Sequence, residues 1–118
     1  MAQRRHKYNA RKVTYFGITF DSKKEGDAYL VLRDMLAKGE IERLQVQPEF
    51  TLIPSFTGAN GKKFRPLVYR ADFSFQDLKQ NRYRVIDIKG YRTREYMLKK
   101  KLFAYRYQVD GLEIEEEI

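Results

Sequence analysis

The 118-residue chain has no cysteine and a single histidine, His6. Without thiols there are no disulfides, no thiolate zinc sites and no cysteine nucleophile, a composition that suits a reducing compartment. One histidine in a polar amino-terminal stretch excludes zinc-histidine sites, histidine-centred nuclease sites and paired-histidine ribonuclease chemistry. Also missing are an uncharged apolar run near the ~18 to 20 residues of a membrane span and an apolar signal core behind the amino-terminal charges. The expectation is a soluble, cytoplasmic protein with no membrane contact. Any hydrolysis must come from carboxylates, lysine and metal.

Basic residues are plentiful: 24 Lys and Arg against 16 Asp and Glu give +8. Five of the acids fall in Asp110–Ile118, which holds no Lys or Arg, so removing them leaves the first 109 residues at +13. A polyanion is the natural partner, with nucleic acid ahead of acidic membrane because no strongly amphipathic basic helix is evident. Residues 1–12 carry Arg4, Arg5, Lys7, Arg11 and Lys12, no acid and almost nothing apolar. They read as a flexible basic arm ahead of one domain, 13–118, of ordinary single-domain size.

Val13 to Phe20 is β-branched and aromatic around Gly17, predicting two very short strands and a turn. Ser22-Lys-Lys-Glu25 has the form of a capping box, and Ala28, Tyr29, Leu32, Met35 and Leu36 then recur at helical spacing up to Gly39. A first helix is predicted over Ser22 to Lys38. Ile41 to Ile53 reads as the first core strand, with a break, bulge or edge at Pro48. Asn60-Gly61 marks a reversal.

Leu67 to Phe75 is predicted as the second strand, with Ala71, Phe73 and Phe75 on one face and Arg70, Asp72 and Ser74 on the other. Tyr83 to Lys89 is the third, with Ile86 and Ile88 opposed to Val85, Asp87 and Lys89. Thr93 to Tyr107 carries a stripe of Leu98, Leu102 and Tyr105 and predicts a second helix. Tyr96, Lys100, Phe103 and Tyr107 form another stripe, of the kind used for packing. After Asp110-Gly111, alternation from Leu112 predicts a short edge strand. The fold class is α+β, in the order α, three antiparallel strands, α, β.

Chemistry concentrates in the second hairpin. Antiparallel pairing keeps the sum of paired residue numbers constant, so a turn centred between Lys79 and Gln80 sets Asp72 opposite Asp87. Like charges facing each other destabilise a sheet unless a cation offsets them, either Lys89 or a bound divalent metal. Oxygen donors suit Mg2+ or Mn2+, and the Ile88 carbonyl is a candidate third ligand.

Asp72, then Asp87-Ile88-Lys89, preceded by a helix bearing Glu25 and followed by a basic helix, resembles the PD-(D/E)XK nuclease superfamily. The phrases Phe20-Asp-Ser-Lys-Lys-Glu25, Gln47-Pro-Glu-Phe50, Tyr69-Arg-Ala-Asp-Phe73, Asp87-Ile-Lys-Gly90 and Lys99-Lys-Lys-Leu-Phe103 look like a small phage and prophage family catalogued as a domain of unknown function and assigned to that superfamily. The similarity runs from about Lys7 to the carboxyl end. It implies a restriction-endonuclease-like αβββαβ core, a mixed central sheet flanked by two helices. It also implies Mg2+- or Mn2+-dependent cleavage of DNA, in phage replication, recombination or packaging. Carried over, the roles are Asp72 and Asp87 as metal ligands, Lys89 orienting or deprotonating the attacking water, and Glu25 as an outer or second-metal carboxylate. Gln47 is an auxiliary candidate. Ala71 stands where the superfamily's naming proline would be. A homodimer is expected by analogy only.

Arg92, Arg94, Lys99, Lys100 and Arg106 join the arm as candidates for backbone contact, and Tyr91 or Tyr96 for packing on a sugar or unpaired base. Glu25 has a rival role in the capping box, and the lysine cluster on the second helix has one as a solvated face. Two other functions fit the same sequence: a non-catalytic nucleic-acid-binding accessory protein, and a structure-selective nickase or Holliday-junction resolvase. RNA stays open as a substrate because the chemistry is indifferent to the sugar.

Overall fold

The structure is a computed structural model that describes residues 11–88 and 91–117. In chain order its elements are β1 Val13–Tyr15, β2 Ile18–Phe20, α1 Lys23–Ala37, β3 Ile41–Val46, β4 Glu49–Ile53, β5 Phe56–Thr57, β6 Lys63–Phe64, β7 Leu67–Arg70, β8 Phe73–Asp77, β9 Arg82–Ile88, α2 Arg94–Arg106 and β10 Ile114–Glu117. Among them no helix is long and apolar enough to cross a membrane. The architecture is α+β, a mixed sheet with a helix on each side.

Local chemistry sets the ends of these elements. The β1–β2 turn places Phe16 at φ 53° and Gly17 at φ 79°, the positive pair that a two-residue hairpin loop demands. The Ser22 hydroxyl accepts the Glu25 N–H at 3.1 Å and starts α1, and Lys38 closes it just before Gly39, as the sequence predicts. Thr93 does the same for α2 by accepting the Tyr96 N–H at 3.0 Å.

The central sheet runs β10-β9-β8-β3, with β10 parallel to β9 and the other neighbours antiparallel. β8 and β9 pair from Asp77↔Arg82 to Phe73↔Ile86, the register predicted from the turn. Asp77 secures that turn by accepting the Lys79 and Gln80 N–H groups, both at 3.0 Å.

The predicted strands Ile41–Ile53 and Leu67–Phe75 are each split, the first at Gln47-Pro48 and the second at Ala71-Asp72. The breaks lie at the same level: the Gln47 N–H donates to the Asp72 carbonyl at 2.9 Å and the Ala71 N–H to the Pro48 carbonyl at 3.0 Å. Beyond them β4 and β7 form a separate two-stranded sheet. Pro48 lacks the N–H a continuous ladder needs, and Gln47 takes φ 55°, so both strands turn away together.

The turn also changes sides. Phe20, Tyr29, Leu32, Ile41, Phe73, Phe75, Ile86 and Ile88 form the core under α1, whereas Leu52, Tyr69, Ala71, Val85, Tyr96, Phe103 and Ile114 form the core under α2. Ala71 therefore does not share a face with Phe73 and Phe75. Of the two stripes expected on α2, the one through Tyr96, Phe103 and Tyr107 packs on the sheet and the one through Leu98, Leu102 and Tyr105 largely does not. Leu98 and Tyr105 are exposed and Leu102 is half-buried, while Tyr96 and Phe103 face the sheet. Phe103 meets Phe50 and Tyr69 edge-on, at 5.2 and 5.8 Å between ring centres, so aromatic packing from β4 and β7 selects the buried side.

Candidate active site

The strand breaks gather the polar residues. One step past Phe73↔Ile86 the regular ladder ends: the Asp72 N–H donates to the Ile86 carbonyl at 3.1 Å, and the Ile88 N–H donates at 2.6 Å to the Asp72 carboxylate instead of a backbone oxygen. The half-buried Asp72 side chain thus replaces part of the ladder and lies beside Asp87, which is only 4% exposed. The Tyr69 hydroxyl, on β7 of the separate two-stranded sheet, donates to Asp87.

These groups open onto a cleft of about 350 Å³ lined by Asp21, Glu25, Gln47, Tyr69, Arg70, Asp72, Asp87, Ile88, Thr93, Glu95, Tyr96 and Lys99. Glu25 lines the cleft from the first turn of α1, where its N–H donates to the Ser22 hydroxyl.

Carboxyl groups crowded into one cleft resist ionisation. Burial first, then the charges of Asp87 and Glu25, push Asp72 up to about 8, and a side-chain hydrogen bond with Asp87 adds to this against the Ile88 N–H. Burial and the charge of Asp21 push Glu25 upward, partly offset by hydrogen bonds from the Asp21 backbone and the Ser22 side chain. Burial and the bond to Asp87 hold the Tyr69 hydroxyl protonated well above the ordinary phenol range. The cleft is therefore an acidic pocket that favours protons or a cation.

Of the other candidates, Lys99 lines the cleft and pairs with Glu95 at 3.3 Å. Arg92 and Lys100 are tied to Glu116, at 2.6 and 2.7 Å. Those bonds, with one from the Tyr96 hydroxyl, hold Glu116 down at about 2. Tyr96 is 7% exposed and contributes a cleft wall and core packing, with no ring face open to a base. Arg11, Tyr91, Arg94 and Arg106 are exposed, and Lys12 lies 3.7 Å from Asp21. Lys89, and Arg4, Arg5, Lys7 and His6 of the arm, lie outside the described residues.

Sequence reasoning did not single out Tyr69, Asp21, Arg70, Thr93 or Glu95. The available signal was position: Asp21 precedes the cap, and Tyr69 and Arg70 share the phrase that carries Asp72.

A family model described as a protein of unknown function, DUF1064, matches residues 5–114. The chain belongs to the DUF1064 family. No curated protein and no solved structure matches it. The span matched to DUF1064 contains Glu25, Gln47, Asp72, Asp87 and Lys89, so the candidate chemistry lies inside the family's own extent.

Proposed function

We propose that the chain is a Mg2+- or Mn2+-dependent endodeoxyribonuclease of the PD-(D/E)XK type, working in phage DNA replication, recombination or packaging. The observation that carries this reading is the juxtaposition of Asp72 and Asp87 at the end of the β8–β9 hairpin, with Glu25 near enough to raise Asp72 further. The element order supports it, because a helix, an antiparallel three-stranded unit, a second helix and a parallel fourth strand agree with the αβββαβ core that the resemblance implies.

The donor set fits a hard divalent cation. Asp72 and Asp87 would hold it, with the Ile88 carbonyl as a third protein oxygen and Glu25 farther out. Among the described residues no three carboxylate or histidine side chains form a ready cluster. Mg2+ is usually held by one or two carboxylates together with substrate oxygens and water. When bound, such an ion neutralises charge on the non-bridging phosphate oxygens and makes water a stronger nucleophile at neutral pH.

The chain's own groups prepare the site. Asp72 must release its proton to become a donor, and the Ile88 N–H stabilises the carboxylate that remains. Tyr69 fixes the rotation of the Asp87 carboxyl group. Lys89 takes the role of orienting or deprotonating the attacking water, and Lys99 at the cleft wall offsets phosphate charge.

The test incubates wild type and Asp87→Asn with supercoiled, linear, single-stranded and four-way-junction DNA in Mg2+, Mn2+ or EDTA. Cleavage by wild type alone, abolished by EDTA while the variant still binds, is the expected result. Salt-sensitive binding with no cleavage in any metal overturns the enzyme in favour of an accessory protein. Preference for the junction selects a resolvase, and cleavage of RNA alone overturns the choice of DNA.

A further inference from the structure

The segment between β4 and β7 has no place in the core. All four residues of β5 and β6 are exposed. A lone two-stranded hairpin is marginal in water, yet this one is built with care. Phe56 and Phe64 pair across it with rings stacked at 4.8 Å and 13°. The Gly58 N–H donates to the Lys62 carbonyl at 2.7 Å, and the Asn60 side chain accepts the Lys62 N–H at 3.1 Å. Gly61, at φ 87°, takes the left-handed position the turn requires. Phe56 and Phe64 nevertheless remain 50% and 41% exposed, so about half of this aromatic surface stays open to solvent.

The charge of this segment is one-sided. From Phe50 to Ala71 there is no acid, while Lys62, Lys63, Arg65 and Arg70 are present. Arg82, Arg84, Arg92 and Lys100 all lean on carboxylates. Among the described residues Lys62, Lys63 and Arg65 form no ion pair, and the Lys62 ammonium lies 5.3 Å from the centre of the Phe64 ring. The Lys62 ammonium thus flanks the aromatic pair, while Lys63 and Arg65, which alternate with Phe64 along the chain, make the other side of the ribbon basic.

Its position ties it to the cleft. The β4–β7 ladder begins at Glu49↔Arg70, with Arg70 in the cleft wall, and ends at Ile53↔Leu67. Four strand steps carry the chain about 14 Å, less than half a turn of duplex DNA. Pro54 and Pro66 then lead into and out of the hairpin. A two-stranded ribbon fits a major groove about 12 Å wide, where cations reach phosphates on both walls.

We propose that the β5–β6 hairpin is a duplex-DNA grip: Lys62, Lys63 and Arg65 contact phosphates flanking one groove, and the stacked Phe56–Phe64 pair packs on sugar and base edges within it. The proposal rests on the nuclease reading only for the identity of the nucleic acid in the cleft. Its test is therefore a binding measurement in EDTA, where cleavage does not enter.

Fluorescence anisotropy with a labelled duplex of about 30 base pairs is followed over a salt series for wild type, Lys62→Ala/Lys63→Ala/Arg65→Ala, Phe56→Ala/Phe64→Ala, and Lys62→Arg/Lys63→Arg. All these positions are exposed, and far-UV circular dichroism verifies the fold of each variant. Three lost phosphate contacts lower the slope of log affinity against log salt by about 2 to 3, so between about 50 and 200 mM salt wild type loses about 40-fold more affinity than the triple variant. The phenylalanine variant binds about tenfold more weakly with an unchanged slope, and the arginine variant matches wild type.

Equal affinity and slope in wild type and the triple variant overturn the proposal, as does an absence of duplex binding by wild type. An equal loss on double-stranded RNA, whose major groove is too narrow for a ribbon, or tighter binding to single strands, overturns the groove assignment. Hairpin-dependent binding without cleavage in any metal supports the grip and sinks the nuclease. Cleavage with hairpin-independent binding does the reverse.

Discussion

Replacing Asp72 by Asn removes one negative charge from a cleft that resists it. In the folded protein Asp72 titrates at about 8, against an ordinary value of 3.8. At pH values between these two, the unfolded chain has released the proton and the folded protein has kept it, so the unfolded state binds fewer protons and stability falls as pH rises. The contribution is complete below about pH 4, declines through the window and is gone above about 8. Asp72→Asn lacks this decline while its side-chain oxygen still accepts the Ile88 N–H. Water in the open cleft screens the repulsion, which sets the gain at about 1 to 2 kcal/mol at pH 8. For a domain of this length that is about 4 to 10 °C in Tm. Thermal unfolding in EDTA at pH 4, 6 and 8, followed by circular dichroism, measures it. A stabilisation growing with pH is expected, and the proposed function adds loss of DNA cleavage and of the Tm rise it predicts for wild type in Mg2+. A Tm difference that is the same at every pH refutes the argument.

Glu116, held near 2 by Arg92, Lys100 and Tyr96, contributes stability that is present above its ordinary 4.5 and lost as pH falls toward 2. Arg92 and Lys100 are partly exposed, so Glu116→Gln costs about 1 kcal/mol at pH 7 and nothing near pH 2, read from urea unfolding at both pH values. At Gly26 an added Cβ meets Val13 Cγ2 at 2.6 Å and Tyr15 Cε2 at 2.7 Å. Gly26→Ala is expected to lift the β1–β2 hairpin from α1 and cost about 1 to 3 kcal/mol, seen as faster amide exchange in Val13–Phe20. Tyr69→Phe removes the hydrogen bond to buried Asp87 and costs about 1 to 2 kcal/mol in urea unfolding, and the proposed function predicts a smaller Tm gain from Mg2+ than in wild type.

Much of the fold was legible because local rules happened to agree with packing. Ser22 and Thr93 announced the helix starts, and the Asp77-to-Arg82 turn fixed the register that brings Asp72 to Asp87. The split at Ala71-Asp72 was not legible, because the alternation through Leu67–Phe75 is intact and the break is imposed from across the ladder by Pro48 and Gln47. For α2 two stripes were legible, and the sequence did not decide between them. Leu98, Leu102 and Tyr105 are as apolar as Tyr96 and Phe103, and only the aromatic residues of β4 and β7 decide between them. Tyr69 escaped notice because its partner is brought near by tertiary pairing alone. Glu116 belonged to an end read only as a short edge strand, yet it collects three donors from α2 and its approach.

The parallel seat of β10 on β9 bears on how the chain folds. The hairpin β8–β9 can form from neighbours in sequence, and β3 joins it after closing the loop that holds β4 to β7. β10 has no short route to β9 and must wait for α2 to cross over. Until then Val85–Ile88, apolar except for Asp87, presents a bare edge, the kind of template on which chains aggregate. The acids of β10 act on that hazard twice. Glu115 draws the strand to Arg82 and Arg84, and Glu115–Glu117, once docked, leave a charged outer strand that a second chain cannot easily extend.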